Sequence, residues 1–254
     1  MIEPQGVQWR VIALEENTAF KNMALDEAVS NAVAQNKSPP TLRFYGWNPS
    51  AVSIGYFQSL EKEVRLSECE AQGVDVVRRR TGGGAVYHDR DGEITYSIIA
   101  PEFMFPKDII ASYKLICGSI IDAFGLLDLT AEFKPINDII LNGKKVSGNA
   151  QTRRNGILLQ HGTILFGLDV KKMFSVLNVS AEKISDKMIA SVEERVTSVK
   201  KNSSATKDQL YDALLKGFTA DKKWAFGKYS EEELARADEL AKTSYSTKEW
   251  NSMR

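Results

Sequence analysis

The residue types that could do chemistry fall in three short segments. The first is Arg78-Arg79-Arg80-Thr81-Gly82-Gly83-Gly84-Ala85-Val86-Tyr87-His88-Asp89. Three consecutive glycines let the backbone approach a ligand closely and adopt positive φ. The N–H groups exposed in such a loop form a concave anion site. The arginines before it offer bidentate, charge-assisted hydrogen bonds to carboxylate or phosphate. The loop lacks the Gly-Lys-Ser/Thr ending of a P-loop and the spacing of a Rossmann turn, and a strand rather than a helix follows it. The plain alternative is a flexible hairpin loop with a solvated arginine run. The second segment runs from Asn137-Asp138 to Lys144-Lys145-Val146-Ser147-Gly148-Asn149. A lysine on a hairpin strand, followed by small residues, can reach a ligand on the sheet face, although a lysine beside an Asn-Gly turn is commonplace. The third is Gln160-His161-Gly162-Thr163, where a lone histidine is more often a satisfied core residue than a catalyst.

The whole-chain totals narrow the classes. The chain has 254 residues, and its 33 Lys plus Arg balance 33 Asp plus Glu. No global field recruits nucleic acid or an anionic membrane, and no aromatic stacking platform is interleaved with the arginine run. No apolar run approaches the ~20 residues that cross a bilayer, and Met1 to Arg10 holds no apolar signal core. A cytoplasmic protein with reduced thiols is expected. A zinc site from Cys69, Cys117, His88 and His161 would have no close ligand pair to start from.

The elements that must position these segments read as follows. Asn17 or Thr18 caps a helix with Phe20, Ala24, Ala28 and Ala32 at helical spacing, stopped by Pro39-Pro40. Strands follow at Thr41 to Tyr45 and Ala51 to Tyr56, then a surface helix from Leu60 to Gln72 carrying Cys69, with Gly73 as its C-terminal cap. Val74 to Arg78 is strand-like, and Ala85 to His88 pairs with Glu93 to Ala100 as a hairpin around Asp91-Gly92. Ile109, Ile110, Tyr113, Ile116, Cys117, Ile120, Ile121 and Phe124 mark one face of a buried helix. On that stripe Cys117 reads as core. Asn142-Gly143 and Asn155-Gly156 punctuate strands at Lys144 to Thr152 and Ile157 to Phe166. The last third is helical around Val170 to Leu177, Lys207 to Gly217 and Ser230 to Ala241, with a polar, possible mobile segment from Lys183 to Ser204. These elements predict one α/β domain over residues 1–254, a mixed or antiparallel sheet flanked by helices, rather than alternating βαβ units.

Taken together and in this order, the three segments resemble the lipoate–protein ligase A family of the biotin and lipoate ligase superfamily. Lesser echoes are Trp47-Asn48-Pro49, Val52-Ser53-Ile54-Gly55 with Gln58, and Ser191-Val192 with Arg195-Val196-Thr197. The resemblance implies a biotin/lipoate ligase-like catalytic domain, distantly similar to some aminoacyl-tRNA synthetases. It implies that lipoate and Mg-ATP form lipoyl-adenylate, and that the lipoyl group then passes to a lysine of a lipoyl domain of a 2-oxoacid dehydrogenase complex or of the glycine-cleavage carrier protein. Lys145 would serve as the catalytic cation between carboxylate and α-phosphate. Arg79, Gly82, Gly83, Gly84, Ala85, Val86, Tyr87, Asn137 and Asp138 would hold ATP or lipoyl-AMP. Asp138 would approach Mg²⁺, and His161 and Gly162 would line the lipoate end. The apolar tail would meet side chains such as Val77, Tyr45 or Leu159. Single-chain ligases of this family carry a small C-terminal domain, whereas this sequence reaches Trp250-Asn251 and ends at Arg254. A separate accessory protein is therefore expected to support adenylation.

Three rivals stand against that reading. An octanoyltransferase carries its acyl group on a cysteine thiolate, but neither Cys69 nor Cys117 falls in the three segments. A biotin ligase needs a Gly-Arg-Gly-Arg pattern that is missing between Arg78 and Gly84. A non-catalytic lipoyl-adenylate binding module has no need of Lys145 and Arg79.

Overall fold

The structure is a computed structural model, and it describes residues 6–178 and 194–254. Ser191, Val192 and the first half of the 183–204 stretch lie outside the described residues. The described strands are β1 (Gln8–Asn17), β2 (Thr41–Trp47), β3 (Ala51–Ile54), β4 (Asp75–Arg78), β5 (Val86–His88), β6 (Glu93–Pro101), β7 (Ala131–Lys134), β8 (Asp138–Leu141), β9 (Lys144–Arg154), β10 (Ile157–Leu165) and β11 (Lys223–Phe226). The described helices are α1 (Ala19–Ala34), α2 (Leu60–Glu63), α3 (Leu66–Ala71), α4 (Ile109–Gly125), α5 (Val170–Val176), α6 (Val199–Asn202), α7 (Lys207–Thr219), α8 (Glu231–Leu240) and α9 (Lys248–Asn251). An eight-stranded sheet has the order β11-β1-β2-β6-β10-β9-β8-β7, and a separate three-stranded sheet has the order β4-β3-β5. The large sheet is mixed: β1 pairs in parallel with β2 and β11, and every pairing from β2 to β7 is antiparallel. The expected α/β class with a mixed sheet is what the chain forms.

The period-two rule explains how this sheet separates core from site. Side chains alternate between its faces. Leu42 and Phe44 of β2, with Ile94, Tyr96 and Ile98 of β6, pack under Ile116, Ile120 and Phe124 of α4 and Leu210, Leu214 and Phe218 of α7. Phe44 meets Tyr211 and Phe218 edge-on, with ring centroids 5.3 and 5.9 Å away. The residues between them, Arg43, Tyr45, Trp47, Thr95 and Ser97, therefore point to the opposite face, where α1 lies. Both faces are covered, so β2 is buried from end to end. The helix α1 starts at Thr18, whose hydroxyl accepts from the Lys21 N–H, and packs Met23, Ala24 and Ala28 against Tyr45, Trp47 and α8.

Several local expectations are corrected. The helix expected from Leu60 to Gln72 is broken into α2 and α3, because Val64 is extended, buried, and paired in an antiparallel bridge with Leu177. Cys69 is accordingly not on a surface helix face but 1% exposed. The segments β5 and β6 are not a hairpin: β5 pairs with β3 in the small sheet, while β6 pairs with β2 and β10. The Asp89 carboxylate accepts from the N–H groups of both Asp91 and Gly92, closing a turn that passes the chain from one sheet to the other. Strands β1, β7 and β11 carry no strong alternation in the sequence and become visible only through their partners.

Candidate functional site

The glycine loop joins β4 to β5, at the edge of the small sheet. Its keystone is Arg79, 5% exposed, whose guanidinium donors turn inward. The Nε atom donates to Thr81 Oγ1, Nη1 donates to Ser53 O and Oγ, and Nη2 donates to the carbonyls of Gly82 (2.8 Å) and Gly84 (2.7 Å). Those are the five donors an arginine possesses. Burial pulls its pKa down to about 10, so it is still charged at neutral pH. Gly83 takes φ +95°, and a Cβ there would stand 2.9 Å from Arg79 Nη2. A Cβ on Gly55 would stand 2.1 Å from the Gly83 carbonyl oxygen. Among the described residues no acceptor takes the N–H groups of Gly83, Gly84 or Ala85. The loop thus presents free donors over a rigid base.

A cavity of about 370 Å³ opens beside the loop, within the range of small-molecule sites. Arg79, Gly83, Gly84, Ala85, Val86, Tyr87, Asn137, Lys145, His161 and Gly162 all line it, so three segments far apart in sequence meet around one space. Gly82 and Asp138 do not line it, and Asp138 pairs with Lys145. Tyr45 lines the cavity as expected for a tail contact, together with Trp47, Met23, Leu165 and Met173. Val77 and Leu159 do not: Val77 packs in the α1 core, and Leu159 lines a smaller cleft with Arg80 and Glu27.

Lys145 lies across Gly148, where a Cβ would stand 2.9 Å from its Cε and Nζ. Its Nζ rests 2.7 Å from Asp138 Oδ1, with both side chains partly exposed. Of the cations lining the cavity among the described residues, Arg79 has spent its donors, which leaves Lys145, held by an ion pair to Asp138, as the one whose charge can face a ligand. Asp138, expected to approach Mg²⁺, is engaged by this lysine, and among the described residues no group of three or more His, Cys, Asp or Glu gathers around it. Asn137 and Asn149 hold each other: Asn149 Nδ2 donates to Asn137 O at 2.9 Å, and Asn137 Nδ2 donates to Asn149 O. Tyr96 OH donates to Asn149 Oδ1, the atom a Cβ on Gly162 would strike at 2.0 Å.

The sequence reading missed the shell behind this cavity. His161 Nδ1 is 3.0 Å from Asp26 Oδ2 and its Nε2 is 2.7 Å from Thr81 Oγ1. Asp26 also receives Arg43 and Ser97 Oγ. Burial works to raise its pKa, but Arg43 and His161 outweigh burial and hold the carboxyl below its usual range. Burial lowers the His161 pKa against the pull of Asp26. A parallel set surrounds His88: Nδ1 is 2.7 Å from Glu93 Oε1, Nε2 is 2.8 Å from Ser53 Oγ, and Trp47 stacks on the ring at 3.8 Å. The available signal was a carboxylate, Asp26, on a helix face otherwise made of Asn22, Val29 and Val33.

No thiol reaches the cavity. Cys117, 0% exposed, sits in the α4 core, where burial pushes its pKa to about 12. Cys69 is buried against α5, at about 11.

Comparison with known proteins brings both agreement and a correction. Residues 18–219 match the lipoyl protein ligase A/B catalytic domain. The octanoyltransferase LipM of Brevibacillus brevis is 37% identical over 96% of this chain and 98% of its own length. LipM of Bacillus subtilis is 33% identical over 97% and 99%. Among solved structures, a bi-partite lipoate protein ligase of Thermoplasma acidophilum, described with its E2 lipoyl domain, superposes with a TM-score of 0.86 at 32% identity, covering 97% of this chain and 96% of that one. A lipoate-protein ligase A bound with ATP gives 0.83 at 31% identity, covering 96% and 98%. The expectation of an ATP-dependent lipoate ligase is overturned by the curated relatives, which are octanoyltransferases at 32–38% identity. The physical reason is that the three motifs build the cavity and its loop, and these carry no information on how a group to be transferred is activated. The chain is an enzyme of the lipoate ligase and transferase group, and it belongs to the lipoyl protein ligase A/B catalytic-domain family.

Proposed function

We propose that this chain moves an octanoyl-class acyl group from a thioester donor to the lysine amine of a lipoyl-domain protein, and that the amine attacks the donor carbonyl directly. The observation that carries the reading is the cavity itself. Its apolar wall suits an alkyl chain, each buried methylene contributing about 0.8 kcal/mol, and its polar end combines free loop N–H groups with the Lys145 cation and no cysteine. The acceptor class follows from the lipoyl domain studied with the Thermoplasma relative, and the donor class from the octanoyltransferase relatives.

In this reading the acyl carbonyl sits where Lys145 Nζ can leave Asp138 and meet it. Attack forms the C–N bond and places negative charge on the carbonyl oxygen, which Lys145 and the N–H groups of Gly83 to Ala85 stabilise. Collapse breaks the C–S bond, and the proton lost by the amine passes to the departing thiolate. A preorganised donor at such an oxyanion is worth roughly 10²–10³ in rate. The proposal needs no accessory protein for adenylation, and neither cysteine carries an acyl group. The test is intact-mass analysis of a lipoyl domain incubated with the chain and octanoyl-loaded acyl carrier protein, without nucleotide. One octanoyl group added supports the proposal. Modification that appears only with free lipoate and Mg-ATP overturns it.

A further inference from the structure

The two histidines have no free nitrogen with which to accept a proton from the acceptor amine, and the reason lies in the direction of the hydrogen bonds behind the loop. An arginine can only donate. The Arg79 Nε–H must therefore point at Thr81 Oγ1, and an Nη1–H at Ser53 Oγ. Each hydroxyl oxygen keeps a second lone pair, so the arginine alone does not fix the bond from Thr81 Oγ1 to His161 Nε2 at 2.7 Å or from Ser53 Oγ to His88 Nε2 at 2.8 Å. The carboxylates fix it: an ionised carboxylate only accepts, so each ring carries a proton on Nδ1, and in a neutral ring Nε2 then accepts the hydroxyl proton. That proton goes to Asp26 in one case and Glu93 in the other. Asp26 is fixed in turn by Arg43 and Ser97, and Glu93 by the Thr95 hydroxyl at 2.8 Å. Trp47 closes the circuit, stacking on His88 and donating its indole N–H to Thr95 Oγ1 at 2.9 Å.

Two carboxylate–histidine–hydroxyl chains thus converge on one guanidinium, which holds the carbonyls of Gly82 and Gly84. From this we infer that Asp26–His161–Thr81 and Glu93–His88–Ser53 are paired positioning relays for the glycine loop, and that neither histidine is the base for acyl transfer. The carboxylates set the Nδ1–H of each ring and Arg79 anchors each hydroxyl, so the relays fix where the loop N–H groups point before any substrate arrives. Positioning matters on this scale: a reacting group displaced by about 1 Å loses roughly 10² in rate. The inference rests on the transfer reading for its kinetic part and not for its structural part.

The structural part is read by long-range ¹H–¹⁵N correlation on uniformly labelled protein at pH 7. The chain has two histidines, and a His88→Asn spectrum assigns them. Both rings are expected as Nδ1–H tautomers. Thr81→Val, which deletes one hydroxyl without burying a charge, should perturb the His161 signals and spare those of His88. An Nε2–H tautomer on either ring overturns the inference whatever the activity. In the kinetic part, Thr81→Val is expected to lower kcat roughly 10²-fold with the donor KM little changed, because the loss falls on transition-state alignment. Thr81→Ser, which keeps the hydroxyl, should recover most of the rate. A Thr81→Val chain with wild-type kcat and only a lower Tm would reduce the relay to a structural brace. If the wild-type chain transfers from no thioester while the tautomers are as expected, the transfer reading fails and the relay stands.

Discussion

Gly55 does not line the cavity, yet the fold makes it a position where one methyl group should cost activity. It follows β3 directly, and a Cβ there would lie 2.1 Å from Gly83 O, 3.0 Å from Gly83 C and 3.2 Å from Gly82 C. Ordinary contact begins near 3.4 Å, so Gly55→Ala requires the loop to retreat by more than an ångström. The loop cannot slide freely, because Arg79 grips the carbonyls on both sides of Gly83. The Gly55 side is held as well: Arg79 N–H donates to Ile54 O, and the buried Arg78 donates to Gly55 O at 3.1 Å. The displacement therefore goes into the N–H groups of Gly83 to Ala85, and misplacement on that scale costs about 10² in rate. Overpacking of this kind destabilises by roughly 1–3 kcal/mol, which for a chain of this size lowers Tm by about 2–4 °C per kcal/mol. The assay is the initial rate of lipoyl-domain octanoylation, read by mass, beside a thermal melt of the same preparation. A variant within threefold of wild type with an unchanged Tm would refute the reasoning, since the loop would then have absorbed the methyl at no cost to alignment.

Other perturbations separate the roles argued above. Lys145→Ala should lower transfer roughly 10²–10³-fold with little change in Tm, since its partner Asp138 is partly exposed; more than a tenth of wild-type rate remaining would remove Lys145 from the mechanism. The double variant Cys69→Ala, Cys117→Ala should still transfer wherever it folds, and an acyl-thioester trapped on either cysteine of the native chain by acidic quench would contradict direct attack. Stability should fall as pH drops below about 6.5: the folded state keeps the His161 pKa under its ordinary 6.5, so the unfolded chain binds the extra proton. Asp26, held below its usual 3.8, adds a further loss at lower pH. Equal Tm values at pH 7.5 and 5.5, or the same drop in His161→Asn, would show that His161 does not carry that slope.

Much of the fold was legible because it depends on local chemistry. Thr18, Asn142-Gly143, Asn155-Gly156 and Ser230 each solve a problem of capping or turning within four residues, and the structure uses all of them. The illegible parts depend on a distant partner. The segment Glu93 to Ala100 reads as one half of a hairpin because Asp91-Gly92 precedes it, but β5 was already claimed by β3. Leu60 to Gln72 reads as one helix until Val64 finds Leu177. Within the site, the sequence located residues of the loop, of the lysine strand and of β10 that line the cavity, but not the shell that aims them. Asp26, Glu93 and Thr95 carry no motif of their own, and Ser53 stands only in a lesser echo; their roles come through His161, His88, Arg79 and Trp47.

Arg79 shows why residue type alone misassigns a role. In sequence it is a cation beside a glycine loop, and an anion ligand is the natural partner. In the fold its five donors are consumed by the loop and by Ser53 and Thr81, and what it contributes is geometry. In the proposed transfer the charge offered to the substrate comes from Lys145, which sits on β9 and pairs with Asp138. The two side chains are part-buried, and Asp138 Oδ1 itself is buried with no hydrogen bond, so in the proposed transfer an acyl carbonyl entering the cavity competes with that carboxylate for the lysine. A rigid loop that supplies fixed dipoles and a cation held by an ion pair alone are complementary requirements of that step.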